Sequence, residues 1–325
     1  GQSVLQQPKL PAFERLRSGI LLRLLNKMIA LEEIGEKLAS GEQLDPVDMD
    51  AVVGTNDLIG LGLIAEDRRR NLHGDRATFV RVQGMTMTSK LFSGIQVSKS
   101  AGELRIMGDL KSCEQAVEAT QTVVEMSGST PVTGFSLENL AELCQGDVSE
   151  LFNLLVKLKQ AGLSMVAGAQ VDLISDQRWL KTVGQAGLMV ARLTVGDYSK
   201  MDGLTLIKRV ISLEAGVKYV QAFAPLPRDL GPHPTTGYSD LRQIALARVL
   251  VDNIDSIQVD WELYGPKLAQ VALSFGADDI DSVSAVDTLE LGVRRAPLEE
   301  IKRNISSSGL VPIQRDGCFR VLEKS

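Results

Sequence analysis

The sequence predicts an α/β fold, a (β/α)8 TIM-like barrel preceded by helices. Short aliphatic segments alternate with amphipathic helices over most of the chain, which is the pattern of a parallel barrel. Aromatic residues make up only 4% of the sequence and hydrophobic residues 44%, so the core must consist mainly of Leu, Val, Ile and Ala. Such a core suits repeated strands and helices better than an aromatic-rich sandwich. A doubly wound parallel sheet is the alternative.

Helices are predicted before the barrel. We expect residues 1–13 to form a flexible tail and residues 14–75 to form an N-terminal helical segment, followed by a barrel domain with a C-terminal tail at 76–325. Apolar residues recur at three- and four-residue steps from Leu21 to Leu38, which is helical periodicity. The stretch "LDPVDMDAVV" has a Pro at the start of a second helix, and "LIGLGLIAE" predicts a third.

Eight strands and the helices between them define the barrel. The predicted strands cover residues 77–82, 103–109, 130–135, 163–168, 188–196, 217–225, 256–262 and 278–284. The clearest helices cover residues 147–162, 238–253 and 265–276. The last has Pro266 in its first turn and Gly276 at its end, as helix termini prefer. Residues 83–102 carry three glycines and no clear amphipathic helix, so we expect a barrel that is open or incomplete near its first βα unit.

Charge and cysteine content narrow the functional class. The net charge of −6 argues against a general nucleic-acid binder. Three cysteines, far apart in the sequence, suggest no disulfide framework. The apolar run "SGILLRLLNKMIAL" is interrupted by Arg23 and Lys27, so it predicts an amphipathic helix and no membrane span. Without a recognisable secretion signal, the expected location is cytoplasmic.

Several long segments carry a family resemblance. They are "SGEQLDPVDMDAVVGTNDLIGLGLIAEDRRRNLHGDR", "LFNLLVKLKQAGL", "DLRQIALARVLVDNI", "GPKLAQVALSFGADDIDSV" and "GLVPIQRDGCFRVL". Together they resemble the radical S-adenosylmethionine (SAM) enzymes of the menaquinone (futalosine) pathway, over about residues 28–322. The segments most resemble those of aminofutalosine synthase, and they resemble those of dehypoxanthine-futalosine cyclase and the deazaflavin-cofactor synthase subunits less.

The sequence departs from this family where the family's chemistry resides. Family members hold a [4Fe–4S] cluster, which binds SAM, with a C-x3-C-x2-C motif soon after the first strand. No cysteine occurs between Arg76 and Gly108 here. The family's "PGGGAE" turn corresponds to "MVAGAQ", which keeps Gly168 and has Gln170 in place of the acid, and Asp197 replaces a family His. The resemblance implies both cofactors, but we expect both to be lost and predict no cofactor or metal.

Candidate ligand-binding residues are the polar residues near the carboxyl ends of the predicted strands, where barrels carry their sites. They are Asp109, Gly168, Gln170, Arg192, Thr194, Asp197, Arg228, His233, Asp260, Glu262 and Asp281. Arg192 lies inside an apolar strand, so it must pair with a barrel acid or bind a carboxylate or phosphate. Asp260 and Glu262 are spaced for one face of a strand, where they either share a proton or cation or form a solvated strand end. No catalytic residue is assigned.

Two classes of function follow. The leading hypothesis is a cluster-less homologue of aminofutalosine synthase, a pseudoenzyme with a degenerate active site. It would act as an accessory or binding subunit linked to menaquinone biosynthesis, beside a cluster-bearing homologue or as a homodimer. The alternative is an enzyme that uses the retained pocket for a non-radical reaction on a small carboxylated metabolite. Cluster ligation across two chains is the weakest possibility, because distant cysteines do not easily form one site. An apolar barrel mouth would favour a scaffold, and converging polar groups would favour an enzyme.

Overall fold

The computed structural model describes residues 31–87, 92, 94–199, 201–213, 216–229, 235–287 and 296–322. Three helices precede the barrel: α1 at residues 31–40, α2 (Pro46–Gly54) and α3 (Leu58–His73). The predicted tail at residues 1–13 and much of the first predicted helix lie outside the described residues. The second and third predicted helices are confirmed.

The barrel follows the predicted alternation. Its strands are β1 (Arg76–Thr86), β2 (Glu103–Met107), β3 (Val132–Ser136), β4 (Met165–Gln170), β5 (Val190–Val195), β6 (Val220–Pro227), β7 (Ser256–Asp260), β8 (Asp279–Ser284) and β9 (Val311–Arg315). Its helices are α4 (Cys113–Ser127), α5 (Leu137–Leu143), α6 (Val148–Gln160), α7 (Arg178–Gln185), α8 (Gly203–Ile211), α9 (Gly237–Leu250), α10 (Trp261–Leu273) and α11 (Pro297–Ser307), with a 3-10 turn at Val217–Tyr219.

The sheet is parallel and closed. The first eight strands pair in chain order, and β1 pairs with both β8 and β2. The predicted (β/α)8 barrel is therefore confirmed over a doubly wound sheet. The opening that we expected near the first βα unit is not found, because Val82 to Thr86 pair directly with β2. Residues 94–102 contain no helix, but strand pairing closes the barrel without one.

The ninth strand lies in the segment that we expected to be a C-terminal tail. Strand β1 is long enough to have two partners along one edge: β9 beside its first half and β2 beside its second. Strand β9 contains Pro312, which weakens the sequence signal for a strand. This pairing brings Arg315, at the end of β9, into the base of the barrel, where it is buried.

Acidic and hydroxyl N-caps start several of the outer helices. Asp147 caps α6, Asp202 caps α8 and Asp260 caps α10, each with a carboxylate that accepts hydrogen bonds from the first turn. Helix α10 is kinked at Gly265, which has a φ of 77°, and Pro266 follows this kink as the sequence pattern predicts. Among the described residues, no helix is both long and apolar enough to cross a membrane.

Candidate ligand site in the barrel mouth

Charged side chains fill the inside of the barrel. Glu103 and Arg105 lie on β2, and Asp279 and Asp281 lie on β8, each pair spaced by two residues. Alternate residues of a strand point to the same face, so both members of each pair point into the barrel. Arg192 on β5 joins them, and all are buried. Because an unpaired buried charge is costly, these groups must neutralise one another.

The lower part of this network closes the base of the barrel. Arg315 Nε and Nη2 each donate to one oxygen of Asp279 at 2.6 Å, a bidentate ion pair. Gln258 Nε2 also donates to Asp279, at 2.6 Å. These contacts tie β9 to β7 and β8, so this layer holds the barrel together.

The middle layer joins β2, β5 and β8. Arg105 donates to Asp281 at 2.7 Å and to Glu103 at 2.7 Å. Arg192 Nη1 donates to Asp281, and its Nη2 lies 3.7 Å from Glu103 Oε1. Burial opposes ionisation of both carboxylates, but the charges of Arg105 and Arg192 outweigh it, so the pKa of Asp281 lies well below its usual value and that of Glu103 is also lowered.

Arg192 is the less well satisfied of the two arginines. Burial and the nearby charge of Arg105 lower the pKa of Arg192 to about 10, while Asp281 favours its charged form. Its buried Nε has no hydrogen-bond partner among the described residues. Arg105, by contrast, uses Nε and both terminal nitrogens in hydrogen bonds. The network therefore leaves one guanidinium incompletely paired.

A cavity of about 260 Å³ lies above this layer, at the carboxyl ends of the strands. Its charged lining residues, within the described chain, are three arginines (Arg105, Arg192 and Arg228) and one acid, Glu138. Polar residues complete the lining: Ser136, Asn139, Gln170 and Thr194. Each arginine is paired with an acid behind or beside the lining, but guanidinium groups face the cavity, and such groups bind small anions.

Gly168, on β4, lines the same cavity beside Arg192 and Thr194 of β5. A Cβ at this position would lie 3.5 Å from the backbone oxygen of Arg192 and 3.9 Å from Thr194 Cγ2, which are ordinary contacts. Packing within the chain therefore does not require glycine here. Its lack of a side chain enlarges the cavity beside Arg192.

Arg228 and Asp260 form the outer edge of the network. Arg228 Nη1 lies 3.2 Å from Asp260 Oδ2, and the Arg228 side chain remains 38% exposed. Asp260 has a second role, because its Oδ1 accepts the backbone N–H of Leu263 and so caps α10. Arg228 is therefore the cavity arginine with the most freedom to contact a ligand.

Two residues beside the cavity have left-handed backbone conformations. Phe135 has a φ of 64° and lines the cavity, and Ser282 has a φ of 60°. The Ser282 hydroxyl accepts from Arg105 at 3.2 Å and donates to Asp260 at 3.0 Å. Such strain in bulky or polar residues is concentrated at functional sites, and here it occurs at Phe135, next to the last residue of β3, and at Ser282 within β8.

The structure brings together seven of the eleven residues predicted from the sequence. Five of them line the cavity: Gly168, Gln170, Arg192, Thr194 and Arg228. Asp260 and Asp281 support this group from below through the contacts already described. His233 lies outside the described residues.

The other three candidates lie elsewhere. The expected same-face pair of Asp260 and Glu262 is wrong, because β7 ends at Asp260 and Glu262 lies exposed in the first turn of α10. Asp109 is exposed beyond the end of β2. Asp197 follows β5 and accepts the backbone N–H of Ser199 at 2.7 Å. The structure does not place these three in the cavity lining.

Sequence reasoning missed two charged residues of the cavity. Arg105 stands two positions after Glu103 in an otherwise apolar strand, and that spacing of opposite charges was the available signal. Glu138 lies in the first turn of α5, where its Oε2 accepts the backbone N–H of Gln170 at 3.1 Å. Burial raises the pKa of Glu138 above its usual value. Nothing in its local sequence distinguishes it from a solvated helix residue.

Solved structures define the class of this barrel. Methylornithine synthase (PylB) superposes with a TM-score of 0.62 at 16% identity, covering 86% of this chain and 97% of that one. The [FeFe]-hydrogenase maturase HydG superposes with a TM-score of 0.60 at 14% identity, covering 90% and 78%. At these identities the likeness concerns the fold alone. The chain has a TIM-like barrel fold.

Sequence relatives show which enzymes the chain resembles. Residues 231–324 match the CofH/MqnC C-terminal region. The 5-amino-6-(D-ribitylamino)uracil–L-tyrosine 4-hydroxyphenyl transferase of Archaeoglobus fulgidus is 24% identical over 80% of this chain and 93% of its own. Aminodeoxyfutalosine synthase of Thermus thermophilus is 27% identical over 51% and 53%, and cyclic dehypoxanthine futalosine synthase of Streptomyces coelicolor is 28% identical over 61% and 54%. The predicted resemblance is confirmed as a similarity: the chain resembles relatives that include two futalosine synthases, and residues 231–324 match the CofH/MqnC C-terminal region.

Proposed function

We propose that this chain is a cluster-free member of its fold that binds a small carboxylated metabolite in the barrel mouth, as a binding or accessory subunit. The observation that carries the proposal is the lining of the cavity, with three arginines and one acid. Guanidinium groups bind carboxylates through paired, charge-assisted hydrogen bonds. The volume of 260 Å³ lies just below the usual range for ligand pockets, about 300–1,000 Å³, so the ligand is small.

The incompletely hydrogen-bonded side chain of Arg192 favours binding of an anion in the cavity. A buried N–H without an acceptor costs about 1–3 kcal/mol, and Arg192 Nε is in that state within the described chain. A carboxylate that enters the cavity relieves this cost by drawing the guanidinium toward itself. Arg228 provides a second donor at the exposed edge of the cavity.

The cysteines support the cluster-free part of the proposal because their positions do not fit a [4Fe–4S] cluster. Cys113 and Cys144 follow the carboxyl ends of β2 and β3. Cys318 lies at the other end of the barrel, beside Ser164, which precedes β4. Three thiolates therefore do not converge on one point, and three ligands are what such a cluster requires. The segment after β1 instead includes Phe92, whose side chain is buried. We derive no reaction step through a cluster or SAM.

The biological setting is part of the proposal. The names of these relatives refer to futalosine compounds and L-tyrosine, and we infer that this chain works in or beside menaquinone biosynthesis. A homologue that retains its cluster, or a second copy of this chain, is the partner that we propose. The location that we propose is the cytoplasm, since three unlinked cysteines suit a reducing compartment.

Calorimetry with small carboxylates tests the binding proposal. L-Tyrosine, benzoate, isophthalate and succinate serve as probes, and we expect at least one to bind. Replacing Arg192 by Met should then weaken that binding by more than about 1 kcal/mol, because one charge-assisted contact is lost. Arg178→Met is the matched control, since Arg178 is largely exposed on α7. Absence of binding by all four probes, or equal affinities in both variants, would contradict the proposal.

Glu138 favours enzymatic activity as a second candidate function. It lines the cavity, and its burial favours a proton on the carboxyl group. A carboxyl group of this kind can exchange a proton with a bound metabolite. NMR of the bound carboxylate in deuterium oxide should then show exchange at a C–H position, and Glu138→Gln should abolish it. If no exchange occurs with the wild-type chain, the binding function alone remains.

A further inference from the structure

Two cysteines, 31 positions apart in sequence, meet on the outer side of the barrel. Cys113 is the first residue of α4, and Cys144 follows the last residue of α5. Both line a cavity of about 580 Å³ that also includes Glu114, Asp147 and Lys157. Cys144 is buried and Cys113 is partly exposed. Burial, together with the neighbouring thiol of Cys113, raises the pKa of Cys144 to about 12.

We propose that Cys113 and Cys144 form a dithiol modification site, which a small-molecule disulfide converts reversibly into an intrachain disulfide. The Cys113 thiolate attacks one sulfur of the small disulfide, forming a mixed disulfide and releasing one small thiolate. The Cys144 thiolate then attacks the Cys113 sulfur and releases the second small thiolate. Two protein thiols are oxidised, their two protons pass to the two released thiolates, and the small disulfide is thereby reduced to two thiols.

The exposure of Cys113 and the raised pKa of Cys144 determine which of the two thiols reacts first. The cavity gives a small disulfide access to Cys113, the more exposed thiol. At neutral pH Cys144 is almost entirely protonated and it is shielded, so Cys113 makes the first attack, and the second attack proceeds through the small deprotonated fraction of Cys144. Once Cys113 carries a leaving group, proximity within the fold favours attack by Cys144 over attack by a second small thiol.

The cross-link would join two segments that line the barrel mouth. Leu110 lies three positions before Cys113, and Glu138 and Asn139 lie on the helix that ends before Cys144; all three line the ligand cavity. A bond between the start of α4 and the end of α5 would hold these segments together. The modification site stands on the cysteine geometry and does not depend on the proposed ligand.

A glutathione redox equilibrium tests the proposal on the full chain. The wild-type protein is equilibrated with reduced and oxidised glutathione, once folded and once in urea, and then quenched with acid. Trypsin releases residues 112–157, which contain both Cys113 and Cys144, and residues 316–320, which contain Cys318. A second protease that cleaves after glutamate then separates Cys113 from Cys144. The two resulting fragments stay linked if the disulfide has formed and separate if it has not.

We expect the effective concentration of the two thiols to be at least about ten-fold higher in the folded protein than in urea, because the fold holds them together. Cys318→Ser should behave as the wild type, and Cys113→Ser should leave Cys144 unmodified in the folded protein. Equal values in both states, or glutathione on each cysteine separately in the folded protein, would overturn the proposal.

Discussion

The carboxylate of Asp281 is the centre of the buried network, and replacing it by Asn tests the account of the barrel interior. Asp281 is 1% exposed and accepts hydrogen bonds from Arg105, at 2.7 and 3.1 Å, and from Arg192. The Asn side chain has nearly the same shape but no charge. Glu103 would then be the one carboxylate of this layer left for two guanidinium groups. Removing one partner of a buried pair costs about 3–5 kcal/mol, and we expect a loss of this size.

Urea unfolding at neutral pH measures this loss. The free energies of unfolding of the wild type and Asp281→Asn are compared with that of Asp109→Asn, the same chemical change at an exposed position beyond β2. The control should stay within about 0.5 kcal/mol of the wild type, as surface substitutions usually do. The double variant with Arg192→Met should cost less than the sum of the two single changes, because it removes both members of a pair.

The same variant should change the pH dependence of stability. The pKa of Asp281 is lowered in the folded state, so its contribution is fully present above the unfolded value of about 3.9 and is lost as the pH falls below it. The difference between the wild type and Asp281→Asn should therefore be largest above about pH 5 and smaller at pH 3. A cost below about 1 kcal/mol at neutral pH, or an equal cost at both pH values, would refute this reasoning.

Three further changes test separate parts of the structure. After anaerobic reconstitution with iron and sulfide, the protein should be colourless; broad absorbance near about 400 nm with stoichiometric iron would contradict the loss of the cluster. Gly184→Ala should lower the melting temperature, because the new Cβ would lie 2.3 Å from the ring of Tyr219, whereas Gly237→Ala has open space and should not; equal melting temperatures would contradict this packing. Because burial raises the folded-state pKa of Glu138, the wild type should lose stability as the pH rises from 4 to 7. Glu138→Gln removes this loss, so the free energy of unfolding of the variant minus that of the wild type should be larger at pH 7 than at pH 4. An equal difference at both pH values would contradict the burial of this carboxyl group.

Most of the barrel could be predicted from local patterns. All eight predicted strands are present with small shifts at their ends, because a strand or helix reveals itself through the spacing of apolar residues and the caps at its ends. The prediction failed where a neighbour in space decides the outcome. Strand β9 forms because β1 offers a free edge along its first half. Glu262 is helical because Asp260 caps α10 instead of continuing β7.

The ligand cavity was predictable only in part for the same reason. The sequence placed Arg192 inside an apolar strand and so predicted that it needs a partner. It did not show which residue that partner is. Asp281 lies 89 positions away and meets Arg192 only when the barrel closes. Arg105 and Glu138 gain their significance from the same closure, since they become cavity residues only when β2, β3 and β5 stand side by side.

The sequence by itself determined the barrel, the family resemblance and the absence of cysteines between Arg76 and Gly108, because these depend on residue order and local periodicity. The tertiary structure alone decided which charges pair, that three arginines share one cavity, and that Cys113 and Cys144 lie together. Such contacts join residues far apart in the chain. Their energies depend on distance and burial in the folded barrel, and no short stretch of sequence contains either quantity.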